Sequence, residues 1–235
     1  MASKNWGLRL STALTFVGGI TRLIFFAQTE LDMRRTKEDA AKTRQSLIDA
    51  ALNIFGQRGY SGTTLRLIAQ EAGCSRGPIY WHFANKEELF EEILAYSQAP
   101  LEQLVAQQQN SSDPEDAADN FSRQWLRLLI DDTYFRQSFE IFLNKTEFTE
   151  ALSKTLERER ALTASLIVMF SSWVTIYRKQ ENVTAASASD TVALSMYAYL
   201  MGITQSWLFD SKITDLDNNL DFFVGEFLRL LRTLK

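Results

Sequence analysis

The sequence predicts an all-α protein, with a three-helix domain built on a helix-turn-helix near the N-terminus and a larger helical domain behind it. Three observations predict this. Only three prolines and ten glycines interrupt 235 residues, and long runs of Leu, Ala, Glu, Gln and Arg favour the helix. Apolar residues recur at spacings of three and four, the period of a helix with one buried face. A short helical segment, a glycine and a second short segment stand together between Thr64 and His82, the arrangement of a helix-turn-helix.

Composition excludes several classes of function. An apolar content of 46% is enough to build packed cores. The single cysteine, Cys74, rules out a disulfide framework, and with the single histidine, His82, it cannot supply the side chains of a zinc finger or of most catalytic zinc sites. No metal and no cofactor are therefore expected. The same lone histidine argues against Ser/His or Cys/His hydrolysis unless His82 itself is the base. Net charge is −4 overall but uneven: residues 33–89 hold nine Lys/Arg against six acids, and residues 90–235 hold thirteen against twenty-one. A basic segment ahead of an acidic body suits an anionic partner at one end only. An ordinary mixed surface explains the same counts equally well.

Residues 1–32 differ from the rest. Lys4 and Arg9 precede an apolar stretch from Leu10 to Ala27, which looks like a signal or anchor segment. Arg22 and the Gly18-Gly19 pair interrupt it, no small-residue cleavage site follows, and a charge near its middle is costly in lipid. The segment is read as an upstream extension, apolar or disordered, dispensable ahead of a start at Met33 with a basic Arg34-Arg35 arm.

The first helix runs from about Lys37 to Arg58. Thr36 with Asp39 has the capping-box pattern, Leu47, Ile48, Ala51, Leu52 and Phe55 form one apolar stripe, and Gly59 stops it. Thr63 is expected to cap a second helix from Thr64 to Ala72, broken by Gly73; Ser75 caps a third from Arg76 to about His82, where Pro78 falls in the first turn. Asn85, with Glu88 at the capping-box position, opens a fourth helix that reaches Pro100 or beyond. Gln107 to Pro114 is polar and turn-prone and reads as a linker. Helical periodicity then returns near Ala117–Asp131, Tyr134–Asn144, Phe148–Gln180, Asp190–Phe209 and Asn218–Thr233.

The chemistry concentrates in TTLRLIAQEAGCSRGPIYWHFANKEELF, residues 63–90. This string resembles the DNA-binding signature of the TetR family of bacterial transcriptional regulators. MRRTKEDAAKTR at residues 33–44 and NKTEF at residues 144–148 resemble the subgroup that represses multidrug-efflux operons, from which Pro78 departs where alanine is usual. The resemblance implies a DNA-binding domain at residues 33–89 and an effector-binding and dimerisation domain at residues 90–235.

Physical roles follow residue by residue. Arg76, at the start of the recognition helix, suits a bidentate contact to guanine, and Gly77 lets the backbone approach DNA. Arg66 reaches a base or phosphate from the supporting helix; Tyr80 and His82 offer polar tips to phosphates; Lys86 and the free N–H groups of the fourth helix form a phosphate clamp. With Thr64, Ser75, Pro78 and Trp81 these make up the expected DNA-contacting set. For Trp81 and Phe83 core packing is the stronger expectation, as it is for Cys74.

In the C-terminal domain the resemblance implies a cavity for a small hydrophobic effector, with Phe139 and Leu143 on one helix and Leu200 and Thr204 on another at its wall. The family dimerises through its last two helices. That implication assigns the dimer surface to one stripe of Val192, Met196, Tyr199, Ile203 and Trp207 and another of Phe223, Phe227, Leu230, Leu231 and Leu234; packing of both within their own domain is the alternative. The leading reading is a homodimeric, ligand-released repressor of an efflux or stress operon. It acts on palindromic double-stranded operator DNA in the cytoplasm, at the nucleoid, without stable membrane association. An activator of the same family, a membrane-anchored regulator that retains residues 1–32 and, least favoured, an enzyme using the helical cavity are the competing readings.

Overall fold

The computed structural model describes residues 37–147, 149–184 and 187–232. The expectations placed on residues 1–32, on the Arg34-Arg35 arm, on the Thr36 cap and on Leu234 lie outside them. Two compact units are distinguished, residues 1–47 and residues 48–235. The first contributes the described residues 37–47, all helical; the second holds everything that follows.

Every regular element among the described residues is helical. Helix α1 covers residues 37–58, then α2 spans Leu65–Glu71, α3 Arg76–His82, α4 Lys86–Gln108, α5 Pro114–Asp131, α6 Thr133–Asn144, α7 Ser153–Gln180, α8 Ser189–Phe209, α9 Ser211–Thr214 and α10 Leu216–Leu231. A 3₁₀ turn, Glu150–Leu152, leads into α7.

Local chemistry fixes most of the boundaries. Gly59 (φ +69°) and Gly73 (φ +67°) take the left-handed conformation that ends α1 and turns the chain after α2. Asn85 accepts the Glu88 N–H at 2.8 Å, while the Glu88 carboxylate accepts the Ala84 N–H at 2.6 Å. The box therefore closes one residue earlier than a standard one, and both groups are spent inside the protein. The cap of α2 corrects the sequence expectation. Thr64, not Thr63, is the N-cap and accepts the Leu67 N–H at 3.3 Å. Thr63 is buried and donates to the Gly59 carbonyl at 2.7 Å, bracing the turn instead.

The expected linker is present at residues 109–113 but is shorter than the sequence suggests. Helix α4 continues through Pro100 and the glutamine run to Gln108, and α5 starts at Pro114 with the Asp113 carboxylate accepting two first-turn N–H groups. A charged cap followed by proline begins a helix as readily as it ends a loop. The short α9 was not foreseen.

Two apolar clusters hold residues 48–235 together. Leu65, Ile68, Ala69, Ile79 and Phe83 are buried around α2 and α3, and Phe90 of α4 packs edge-on against Phe55 of α1 and against Tyr60, at 5.1 and 4.8 Å. Further along the chain, Phe121, Trp125, Phe170, Trp173 and Phe227 are almost fully buried among α5, α7 and α10. Phe170 is the hub, with Phe121, Trp173 and Phe227 all within 5.5 Å of its centroid. Burial of each such ring contributes about 1.5–3 kcal/mol.

Candidate nucleic-acid interface and ligand cavity

The α2–turn–α3 segment buries Ile68 and Ile79 and leaves its other side open. Arg66, Ser75, Arg76 and Gly77 are exposed, as is Thr64 at the cap of α2. A Cβ built on Gly77 meets nothing within 4 Å, so another backbone can approach there. Tyr80 is 57% and Trp81 75% exposed, while Pro78 and His82 are half-buried. Trp81 corrects the packing expectation: its ring is exposed beside that of Tyr80 and makes a T-shaped contact with His82, at 4.8 Å. Phe83 is buried as expected.

Lys86 is more committed than the sequence suggests. Its Nζ donates to the Tyr60 carbonyl at 3.0 Å and lies 3.9 Å from the centre of the Tyr60 ring. The Tyr60 hydroxyl in turn donates to Glu87 at 2.7 Å. That bond holds the Glu87 carboxyl below its ordinary range, while burial and then the Glu87 acceptor push the Tyr60 hydroxyl well above its own. The start of α4 is thus a braced unit of Tyr60, Lys86 and Glu87. Such a unit fixes α4 against the helix-turn-helix and leaves Lys86 part of its donor capacity for an anion.

The same segment is tied to α6. The Tyr60 N–H donates to the Lys145 carbonyl at 2.9 Å, Ser61 donates to Glu147 at 2.7 Å, and the Gly59 backbone comes so close that a Cβ would stand 2.9 Å from the Lys145 oxygen.

A cavity of about 470 Å³ opens among α4, α5, α6, α7 and α8. Volumes of this size suit drug-sized molecules. Its walls are mostly apolar, and Phe139 and Leu143 line it together with Leu101, Trp125, Phe142, Leu162 and Met201. Leu200 and Thr204 do not, which corrects the assignment on α8. Leu200 is buried in the core, and Thr204 stands behind the wall, where it accepts the Trp125 indole N–H at 2.9 Å. Tyr197 and Met201, also one turn apart, take their place. Every face of α8 carries apolar residues, so periodicity could not choose between the two pairs. Glu159 is the acid on the wall, hydrogen-bonded by the Gln98 amide of α4. Burial lifts its carboxyl above the ordinary value and the Gln98 bond only partly offsets this. Sequence reasoning missed it, because one glutamate in a charged stretch of α7 has no distinguishing spacing.

The expected dimer stripes are largely core. Val192, Met196, Ile203, Trp207, Phe227 and Leu231 are all less than a tenth exposed within the single chain. Tyr199, Phe223 and Leu230 are half-buried, and Tyr199 donates across to the Phe223 carbonyl at 3.0 Å, its hydroxyl held up at about 12 by burial. These stripes bind α8 and α10 to their own domain. The faces left open carry Leu194, Ala198 and Gly202 on α8 and Phe222 on α10.

Comparison with known proteins agrees with this architecture. Residues 47–93 match the family described as "Bacterial regulatory proteins, tetR family", and residues 123–233 match "MAATS-type transcriptional repressor, C-terminal region". The probable acrEF/envCD operon repressor of Escherichia coli K12 is 32% identical over 204 residues, covering 84% of this chain and 90% of that protein. The HTH-type transcriptional regulator AcrR of Shigella flexneri is 29% identical over 199 residues, covering 84% and 93%. Among solved structures, NalD, the secondary repressor of the MexAB-OprM multidrug efflux pump in Pseudomonas aeruginosa, superposes with a TM-score of 0.70 at 29% identity, covering 82% of this chain and 96% of its own. With the helix-turn-helix, the α4 connection and the cavity in place, the chain belongs to the tetR family of bacterial regulatory proteins.

Proposed function

We propose that this protein is a homodimeric repressor of a multidrug-efflux operon, released from palindromic operator DNA when a small hydrophobic effector fills the cavity. The observation that carries the reading is that α4 and α6 both run from the cavity wall to the helix-turn-helix. Helix α4 supplies Leu101 to the wall and starts just after α3, crossing the expected domain boundary at residues 89 and 90 without a break. Helix α6 supplies Phe139, Phe142 and Leu143 and ends beside the Lys145 carbonyl that holds Tyr60. A ligand shifts an equilibrium only through different affinity for its two states. A molecule that displaces either wall must change where α3 stands, and hence whether two recognition helices match successive major grooves.

The DNA-facing set is Arg66, Ser75, Arg76, Gly77, Tyr80 and Trp81, with Thr64, Pro78, His82 and Lys86 at its edge. Similarity to repressors of efflux operons supports the choice of target. Among the described residues, one stretch, Glu150–Gln180, is long and apolar enough by length and composition to cross a membrane. We read it as a core helix, since Leu162, Leu166, Phe170 and Trp173 of α7 are buried against neighbouring helices, and we place the protein in the cytoplasm.

Fluorescence anisotropy on a palindromic fragment from upstream of its own gene tests this reading. Salt-dependent binding that a hydrophobic drug weakens is expected, and Phe139→Ala should alter the drug response while operator affinity without drug holds. Equal affinity for operator and random DNA, or joint loss of both responses in the variant, overturns it.

A further inference from the structure

A second, smaller cleft of about 170 Å³ lies between α4 and the first turns of α7, walled by Glu91, Leu94 and Gln98 on one side and by Lys154, Thr155 and Arg158 on the other. It shares no lining residue with the apolar cavity, and the Gln98–Glu159 bond stands between the two. Thr155 is 5% exposed, and its hydroxyl is buried without a hydrogen-bond partner. Elsewhere on α7 such hydroxyls turn back to the carbonyl four residues earlier, Ser165 to Ala161 at 2.9 Å and Thr175 to Ser171 at 2.8 Å. For Thr155 that carbonyl belongs to Ala151, inside the 3₁₀ turn, where the tighter winding takes it off the line of the α-helix. A buried hydroxyl left unpaired is costly, and a ligand that bonds it removes the cost.

The charges around this hydroxyl come in both signs, the acid on the α4 wall and the bases on the α7 wall. Arg158 is engaged by Glu102 through two bonds of 3.0 Å and also feels the charges of Glu159 and Glu91. Lys154 and Glu91 are exposed and make no hydrogen bond or ion pair within 4 Å among the described residues. Leu94, fully buried, adds an apolar surface to the α4 side. We propose that this cleft binds a small zwitterion of the α-amino-acid class, with its ammonium on Glu91 and its carboxylate between Lys154 and the Thr155 hydroxyl. A simple anion is repelled by Glu91 and a simple cation by Lys154, whereas a molecule that carries both charges answers both walls. The volume takes about five or six heavy atoms, which suits glycine or alanine and is too small for the drug-sized molecules that fit the larger cavity. A ligand so placed ties α4 to α7, and its binding therefore stabilises the fold.

Calorimetric titration of the full chain with L-alanine, and with acetate and ethylammonium as its two halves, tests this. The expected result is saturable alanine binding that raises the melting temperature at concentrations below those at which amino acids act as osmolytes, with each half weaker by about tenfold or more. Glu91→Gln and Lys154→Met should each weaken alanine by about tenfold. Thr155→Val, which keeps the shape and deletes the unpaired hydroxyl, should also weaken alanine while the ligand-free protein stays as stable as before or becomes more so. Acetate that binds as tightly as alanine and ignores Glu91→Gln overturns the zwitterion assignment, as does ethylammonium that ignores Lys154→Met. A Thr155→Val variant that binds alanine at full strength removes the hydroxyl from the site and overturns it as well. Loss of alanine binding when Leu143→Trp fills the apolar cavity puts the ligand there instead, and the absence of alanine binding altogether leaves no site; either result overturns the proposal.

Discussion

Arg76 and Lys86 carry the same charge and belong to the same signature, yet their surroundings give them different work. Arg76 stands exposed in the first turn of α3, and its guanidinium makes no hydrogen bond or ion pair among the described residues, which leaves it available for a base edge. Lys86 already donates to the Tyr60 carbonyl and covers its ring. Arg76→Ala should therefore cost about 1–3 kcal/mol on the specific site and relax one base position. Lys86→Ala should weaken all sequences alike, reduce the salt slope by about one and also lower the stability of the fold, because two contacts to Tyr60 vanish. Binding titrations at several salt concentrations, paired with urea denaturation, separate the two. Equal losses on specific and random DNA for Arg76→Ala would remove it from base readout. The residues proposed to face DNA lie in one short, continuous string, so their grouping on the α2–turn–α3 segment was legible in the sequence. The bracing contact of Lys86 was not legible, since Tyr60 meets it only after the chain has passed through α2 and α3.

At the level of elements, helix ends were easier to read than helix faces. Asn85 with Glu88 and the two left-handed glycines act within a turn of the residues they order, so their signals are local, whereas Ser75 holds the N-cap position of α3 without a side-chain capping bond. Helix α8 shows the opposite case. It packs against α5, α6, α7 and α10, and apolar residues surround it, so the choice of Tyr197 and Met201 over Leu200 and Thr204 for the cavity depended on neighbours far away in sequence. The two left-handed glycines provide a test of how firmly the elements are joined. Gly73→Ala meets open space and carries only the conformational cost, about 1–2 kcal/mol. Gly59→Ala carries that cost and also drives its methyl into the Lys145 carbonyl. Denaturant titrations should show the Gly59 variant as clearly the less stable, and it should alter drug response because the displaced backbone closes α6. Equal destabilisation of the two would mean that the Gly59–Lys145 approach relaxes without consequence.

On the scale of the whole molecule, the buried stripes of α8 and α10 change what a dimer must be made of. Residues such as Met196 and Phe227 are committed to the core of the single chain, so the homodimer proposed above would have to meet through the opposite faces. There Leu194, Ala198 and Gly202 follow one another at one-turn spacing along α8, and Phe222 stands 62% exposed on α10 with Gly225 one turn on. A Cβ on Gly202 or Gly225 meets nothing within 4 Å, which leaves room for another helix to come close. Leu194→Arg with Phe222→Arg should give a folded monomer in sedimentation experiments, because both side chains are open to solvent in the single chain. That monomer should keep the affinity of the cavity for a hydrophobic drug and lose most of its operator affinity, since one recognition helix reads only half a palindrome. Phe227→Ala should act differently and unfold the domain, at a cost of about 3–5 kcal/mol. A double variant that stays dimeric would move the interface elsewhere; one that stays monomeric yet binds the operator at full strength would show that repression here does not depend on pairing.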